Sequence, residues 1–186
     1  ANILLKLIDI PTNGKFGWAP SEDSRFESSW LKIMERMHDD IKERNNKTGV
    51  VGADFLNLSS SLISKHKEYF KKVQSKFVYD DLSSKNVLIK DGHFNGLVDL
   101  DTVMYGDFLE PIGRIQASWY GTEYGKVYTE AVIKYLNISE AQRKMVEVYA
   151  ILNRIFWISE IGIQFNQNTS TNIDQNKVDE SKKIIE

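Results

Sequence analysis

The chain has 186 residues, 41% of them hydrophobic and 27% charged, with a formal net charge of -2 and no cysteine. That length supports one core and hence one domain, and the charge balance offers no basic footprint for nucleic acid. Disulfides and thiolate metal sites are excluded, and three scattered histidines (His38, His66 and His93) do not make a zinc set.

Asn2 to Ile10 reads as the end of a helix, stopped by Pro11 and the turn Thr12-Asn13-Gly14. Pro20 and Ser21 to Asp23 lead into a long helix. Its apolar residues Trp30, Ile33, Met34, Met37 and Ile41 step by three and four, as one buried face requires, and Asn45 to Gly52 closes it. A second helix is expected from Ala53 to Val73, with Phe55, Leu58, Leu62, His66 and Tyr69 or Phe70 inward. At Lys76 the period changes. Phe77 to Tyr79, Asn86 to Ile89 and Asn95 to Leu100 read as short strands, and Asp91-Gly92 between the last two is a hairpin signal. After Gly106 helices return over Phe108–Tyr120, Thr122–Leu136, Ser139–Gln164 and from Ile173 onward, with a polar break at Asn166–Asn172. Ser139 and Gln142 fit a capping box.

The most apolar stretch, Met145 to Phe165, carries Glu147, Asn153, Arg154 and Glu160, so it reads as a buried helix rather than a membrane span. With no signal peptide in view, a cytoplasmic location is expected. The first residue is Ala1 and not methionine, so the chain reads as a trimmed piece or a fragment of something longer. The expected fold class is α+β, mainly helical, with one small strand-loop-hairpin island.

The unusual carboxylates sit on that island. Four residues separate Asp81 from Asn86 across a loop between two strands, and Val98-Asp99-Leu100-Asp101 follows the hairpin. Phosphoryl transfer from ATP needs a carboxylate to orient the attacking hydroxyl and take its proton, and oxygen ligands that hold magnesium against the phosphates. A loop Asp, an Asn opening the next strand and an Asp closing the hairpin can fill those roles. The bland alternative makes Asp81, Asn86 and Asp91 ordinary turn formers.

The stretch Phe77–Gly113 resembles the catalytic core of the aminoglycoside phosphotransferase and choline kinase family, which has the protein-kinase-like fold. That family's loop runs His-Gly-Asp-Leu-His-x-x-Asn, followed by an Ile-Asp-Trp-Glu/Asp segment and Gly-Asp-Pro. Asp81, Leu82 and Asn86 match the loop, Asp99 and Asp101 the second motif, and Gly106-Asp107 the third. The resemblance implies an ATP- and magnesium-dependent kinase of small-molecule hydroxyls. Asp81 would be the catalytic base, Asn86 and Asp99 the ligands of the nucleotide's magnesium, Asp101 a further support for metal or substrate, and Asp107 structural. Tyr79, Asp80 and Ser83 replace the usual histidine, glycine and second histidine, and Asp80 beside Asp81 adds a like charge that would raise the base's pKa or disturb the loop.

By the same resemblance, residues 1–186 form a single kinase-like carboxy-terminal lobe, with a helical insert at about 21–73, the catalytic loop and hairpin at about 76–107, and a helical remainder at about 108–186. No glycine-rich strand pair and no Val-Ala-x-Lys-like segment precedes Pro11. The expectation is therefore that the amino-terminal ATP-gripping lobe is absent from this chain and supplied in cis or in trans. The expected partner is a small-molecule acceptor of aminoglycoside, choline-like or sugar type, cationic if Asp39, Asp40, Glu123, Glu130 or Glu160 face it, with neither nucleic acid nor membrane involved. Two other readings stand beside this one: a kinase-like binding module without catalysis, and a haloacid-dehalogenase-type phosphatase using Asp99 and Asp101, which would need a parallel sheet downstream.

Overall fold

The computed structural model of the protein describes residues 6–18, 26–81, 84–100, 103–164 and 170–185. Helix α1, Trp30–Thr48, starts later than Pro20–Asp23 suggests, because Ser29 in extended conformation accepts from the Lys32 N–H and caps it. It ends at Gly49, whose φ of 69° is a left-handed cap closed by a bond from its N–H to the Asn45 carbonyl. The expected stripe is buried at Trp30, Ile33, Met34 and Ile41.

The single helix expected over Ala53–Val73 is two helices, α2 (Ala53–Lys65) and α3 (Lys67–Lys72). At His66 the backbone leaves the helical basin (φ -103°, ψ 15°), and its carbonyl takes the N–H groups of both Tyr69 and Phe70. The bend turns α3 so that Phe70 is wholly buried and the Tyr69 hydroxyl reaches Asp107.

Two antiparallel sheets follow. Strands β1 (Gly17–Trp18), β2 (Lys76–Tyr79) and β5 (Val103–Gly106) form one in the order β1-β5-β2, while β3 (Val87–Lys90) and β4 (His93–Leu97) form a hairpin. Its turn is Asp91 and Gly92 with φ of 52° and 75°, the two left-handed residues a two-residue hairpin loop demands. The third strand begins and ends earlier than Asn95–Leu100, and β5 has no counterpart in the sequence reading. Every ladder among the described residues is antiparallel, which removes the parallel sheet that the phosphatase reading needs.

The rest is helical: α4 (Glu110–Ser118), α5 (Glu123–Tyr135), α6 (Glu140–Glu160) and α7 (Gln175–Lys183). The Ser139–Gln142 capping box forms at the start of α6. One core gathers Trp30, Phe70, Leu109, Val146, Tyr149 and Leu152, and a second joins Ile41, Val51, Ile155, Ile158 and Val178. No helix among the described residues is long and apolar enough to cross a membrane.

Helices α4 and α6 share the most extensive packing in the molecule, and Gly113 makes it possible. A Cβ there would lie 2.5 Å from the Tyr149 Cβ and 2.7 Å from the Val146 carbonyl oxygen. Both obstacles belong to the helix wall and cannot swing aside. Gly113→Ala is therefore expected to lower stability by about 1–3 kcal/mol, read from urea denaturation midpoints. An unchanged midpoint would mean that α4 and α6 separate without cost.

Candidate active site

Strand β2 delivers Tyr79, Asp80 and Asp81 in succession, and a 3-10 turn over Ser84–Asn86 carries the chain into β3. Asn86 is buried, and its Nδ2 donates to both the backbone oxygen (3.0 Å) and the carboxylate Oδ2 (2.9 Å) of Asp81. The Asn86 carbonyl accepts from the Val98 N–H at 3.1 Å, which ties the return strand of the hairpin to the loop. Across this junction the Tyr79 hydroxyl donates to the carbonyls of Val98 and Asp99, each at 2.9 Å. Burial first, and the Asp81 charge second, push the Tyr79 phenol up, so it stays protonated and a donor.

The Val98–Asp99 backbone is thus brought back beside Asp81 and Asn86, although the hairpin separates them in sequence. Asp81 is partly exposed and Asp99 exposed. Asp99 sits at φ 61°, a left-handed conformation uncommon for a residue with a Cβ, and the Tyr79 bonds hold the backbone there. Asp101 lies outside the described residues, as do Leu82 and Ser83. Sequence reasoning passed over Lys85, whose Nζ is 3.1 Å from Asp81 Oδ2; its signal was the four-residue spacing from the carboxylate.

The expectation for Asp80 needs correction. It does not crowd Asp81 at the surface. It is 3% exposed and turned inward, with Oδ2 3.6 Å from Arg114 Nη1. Arg114 in turn lies over the Trp157 ring, 5.6 Å from its centroid. Beside the pair is Glu110, also buried, whose Oε1 accepts from Asn153 Nδ2 at 2.9 Å. Burial pushes the Glu110 carboxyl up to about 7; Arg114 opposes this and the nearby Asp80 adds to it.

Asp107, read as structural, accepts from the hydroxyls of Tyr69 (2.6 Å) and Tyr149 (2.7 Å) and from the Leu109 N–H (3.0 Å). Burial pushes its carboxyl up while these three donors hold it down.

Glu110 makes stability depend on pH. In the unfolded chain it ionises near the ordinary glutamate value, whereas the folded chain keeps its proton until about pH 7. Between those limits the folded state holds more protons, so stability is greatest below the unfolded pKa and falls as pH rises through the folded one. The expected slope is about 1.4 kcal/mol per pH unit across the window. Denaturation of the native chain and of Glu110→Gln at several pH values checks this, and the variant should flatten the profile. A profile that stays steep in the variant would assign the dependence to another group.

The model of the phosphotransferase enzyme family (APH) matches residues 4–146, most of the chain. No curated protein matches the sequence. Among solved structures, the apo form of a thermostable mutant of aminoglycoside phosphotransferase APH(4)-Ia aligns with a TM-score of 0.61 and 14% identity, over 82% of this chain and 53% of that one. A thermostable mutant of the same enzyme in ternary complex with AMP-PNP and hygromycin B gives 0.58 and 17%, over 82% and 52%. A putative fructosamine-3-kinase from Haemophilus somnus 129PT gives 0.60 and 13%, over 98% and 59%. The chain therefore spans between half and three fifths of the solved structures it matches, and at these identities what is shared is the fold. The family match over most of its length makes this chain a member of the phosphotransferase enzyme family, with the fold of a protein-kinase-like carboxy-terminal lobe.

Proposed function

We propose that the chain is the catalytic lobe of a small-molecule kinase that transfers phosphate from ATP to a hydroxyl, with Asp81 as the base and Asn86, Asp99 and Asp101 around the magnesium. The observation that carries this reading is the direct bond from Asn86 to the Asp81 carboxylate, beside an Asp99 whose backbone Tyr79 pins. An amide oxygen and carboxylates are hard oxygen donors, the set magnesium prefers. The set would take the Asn86 amide oxygen together with the carboxylates of Asp99 and Asp101. The Asn86 amide nitrogen donates to Asp81, so the amide oxygen is the atom that would turn to the cation. When bound, the ion neutralises charge on the phosphates that the transfer displaces.

In this reading Asp81 orients the acceptor hydroxyl and takes its proton. The hydroxyl oxygen forms the new bond to the terminal phosphorus, and ADP leaves with the electrons of the broken bridge bond. Lys85, exposed and paired with Asp81, can turn to the incoming phosphate once the acceptor occupies the carboxylate. The AMP-PNP and hygromycin B in the ternary complex of the APH(4)-Ia mutant support an ATP co-substrate and a small-molecule acceptor of amine or sugar type. An amino-terminal lobe gripping the nucleotide, in cis or in trans, belongs to the same proposal, and so does the division into insert, catalytic island and helical remainder.

A second reading, a kinase-like binding module without catalysis, is favoured by that same Lys85–Asp81 pair, which engages the carboxylate the reaction needs. Mutation separates the two. In a form that carries an amino-terminal lobe, Asp81→Asn is expected to cut phosphate transfer by about 10²- to 10⁴-fold while the fold persists, because an amide cannot take the proton. Asp99→Ala should instead raise the magnesium concentration needed for turnover as well as slow it. Both are read as turnover against magnesium with a panel of amine and sugar acceptors. Near-full turnover by Asp81→Asn would sink the kinase reading in favour of the binding module.

A further inference from the structure

Helix α5 is apolar on two sides. Its inner side buries Gly125, Val132 and Ile133 and packs on α4. Its outer side carries Tyr124, Val127, Ala131 and Tyr135, which step by three and four residues and so form one stripe along the helix. All four are exposed, Tyr124 by 79% and Val127 by 63%. A helix that only covers a core shows polar residues to water, and a contiguous exposed apolar stripe marks an interaction surface.

The stripe is held in shape before anything docks on it. The Tyr124 ring, although exposed, meets the Trp119 ring at 6.5 Å, and Trp119 meets Tyr128 edge-on at 5.6 Å. A Cβ on Gly125 would stand 2.3 Å from the Trp119 carbonyl oxygen, so only glycine lets the head of α5 sit this close. Aromatic side chains fixed in this way lose little freedom on docking and are the anchors that interfaces favour.

The charges choose the occupant. Glu123, Lys126, Glu130 and Lys134, all exposed, run along one edge of the stripe, while the other edge carries Tyr128 and Tyr135. Their signs alternate, so the row is complementary to itself when read backward: Glu123 falls opposite Lys134, and Lys126 opposite Glu130. Glu130 is already held by Arg143 through bonds of 2.7 and 3.1 Å, which makes Glu123 and Lys134 the pair that decides. In the same antiparallel register Tyr124 of one copy falls between Ala131 and Tyr135 of the other, a large side chain against a small one. A parallel pairing would instead set Lys134 against its own copy. A surface of single sign, such as an anionic lipid layer, does not match an alternating row.

We propose that the outer face of α5 docks on the same face of a second copy of the chain, antiparallel, about a two-fold axis that crosses the helix between Tyr128 and Thr129. One self-complementary patch used by both copies is what such an axis requires. The interface does not depend on the kinase reading. A 13-residue helix is about 20 Å long, too short to bury the roughly 800 Å2 per partner of a standard interface, so the dimer is weak and reversible.

Sedimentation velocity of the whole chain, from about 10 μM to 1 mM at low salt, should show a monomer passing into a dimer that added salt weakens. Glu123→Lys and Lys134→Glu should each weaken association by about tenfold, because each sets like charges together twice across the axis. Mixed in equal amounts, the two variants should recover it, since the charges brought together are again opposite. Val127→Asp, at an exposed position, should remove the dimer, and it carries the test if a charge reversal unfolds α5. A chain that stays monomeric to about 1 mM would leave this face to a different partner and overturn the proposal. Association that survives Val127→Asp, or a mixture that associates no better than either variant alone, would move the contact to another face, such as the hairpin that exposes Ile89 and Phe94, and would overturn it too.

Discussion

The Asp107 carboxylate, 3% exposed, draws donors from across the molecule: Tyr69 from α3, Tyr149 from α6, and the Leu109 N–H at the head of α4. Trp30 of α1 joins through its indole N–H, which donates to the Tyr149 hydroxyl at 2.7 Å. A carboxylate taken out of water is expensive unless its lone pairs are met, and bonds to a charged group contribute about 1.5–3 kcal/mol each. The position therefore holds only if four helices and the end of β5 arrive together. Gly106 before it belongs to the same constraint, since a Cβ there would lie 2.5 Å from the Trp30 ring.

From that hub the frame reaches the candidate site through one ladder. Strand β5 is fixed at its Asp107 end and pairs along its whole length with β2, from Lys76 opposite Gly106 to Tyr79 opposite Val103. The end of β2 then sends consecutive side chains to different tasks. Tyr79 crosses to the hairpin and pins Val98 and Asp99, Asp80 turns inward to Arg114, and Asp81 emerges beside Asn86. A slip of one residue in the ladder would exchange the buried Asp80 with the partly exposed Asp81.

Two departures from the family's loop pattern, Tyr79 and Asp80, are answered by partners elsewhere in the chain. A phenol stands where the family has an imidazole, and it serves as the brace between loop and hairpin. A carboxylate stands where the family has glycine, and it is received by Arg114, which is itself backed by the Trp157 ring. Burying Asp80 beside Glu110 sets two acids against one guanidinium. Burial keeps the Glu110 carboxyl protonated toward neutral pH; Arg114 opposes this, and Asp80 offsets only part of that opposition. The sequence alone offered no reason to connect residues 80, 110, 114 and 157.

Local patterns determined a good part of the molecule. The three-and-four stepping of Trp30 to Ile41, the Asp91-Gly92 turn and the Ser139 capping box each rest on neighbours within a few residues, and each is present. The spacing of Asp81 and Asn86 on a loop before a hairpin likewise came from short-range signals, and so did the family resemblance. What the sequence could not supply depends on residues far apart in the chain. Strand β5 is four residues with no alternation and exists because β2 offers it a ladder. The break at His66 re-aims Tyr69 and Phe70 toward a core built by α6. Asp80 next to Asp81 reads as surface repulsion until Arg114 is brought to it from α4. Short-range sterics and capping are written in the local sequence, whereas the partner of a buried charge is chosen by packing, and packing belongs to the whole fold.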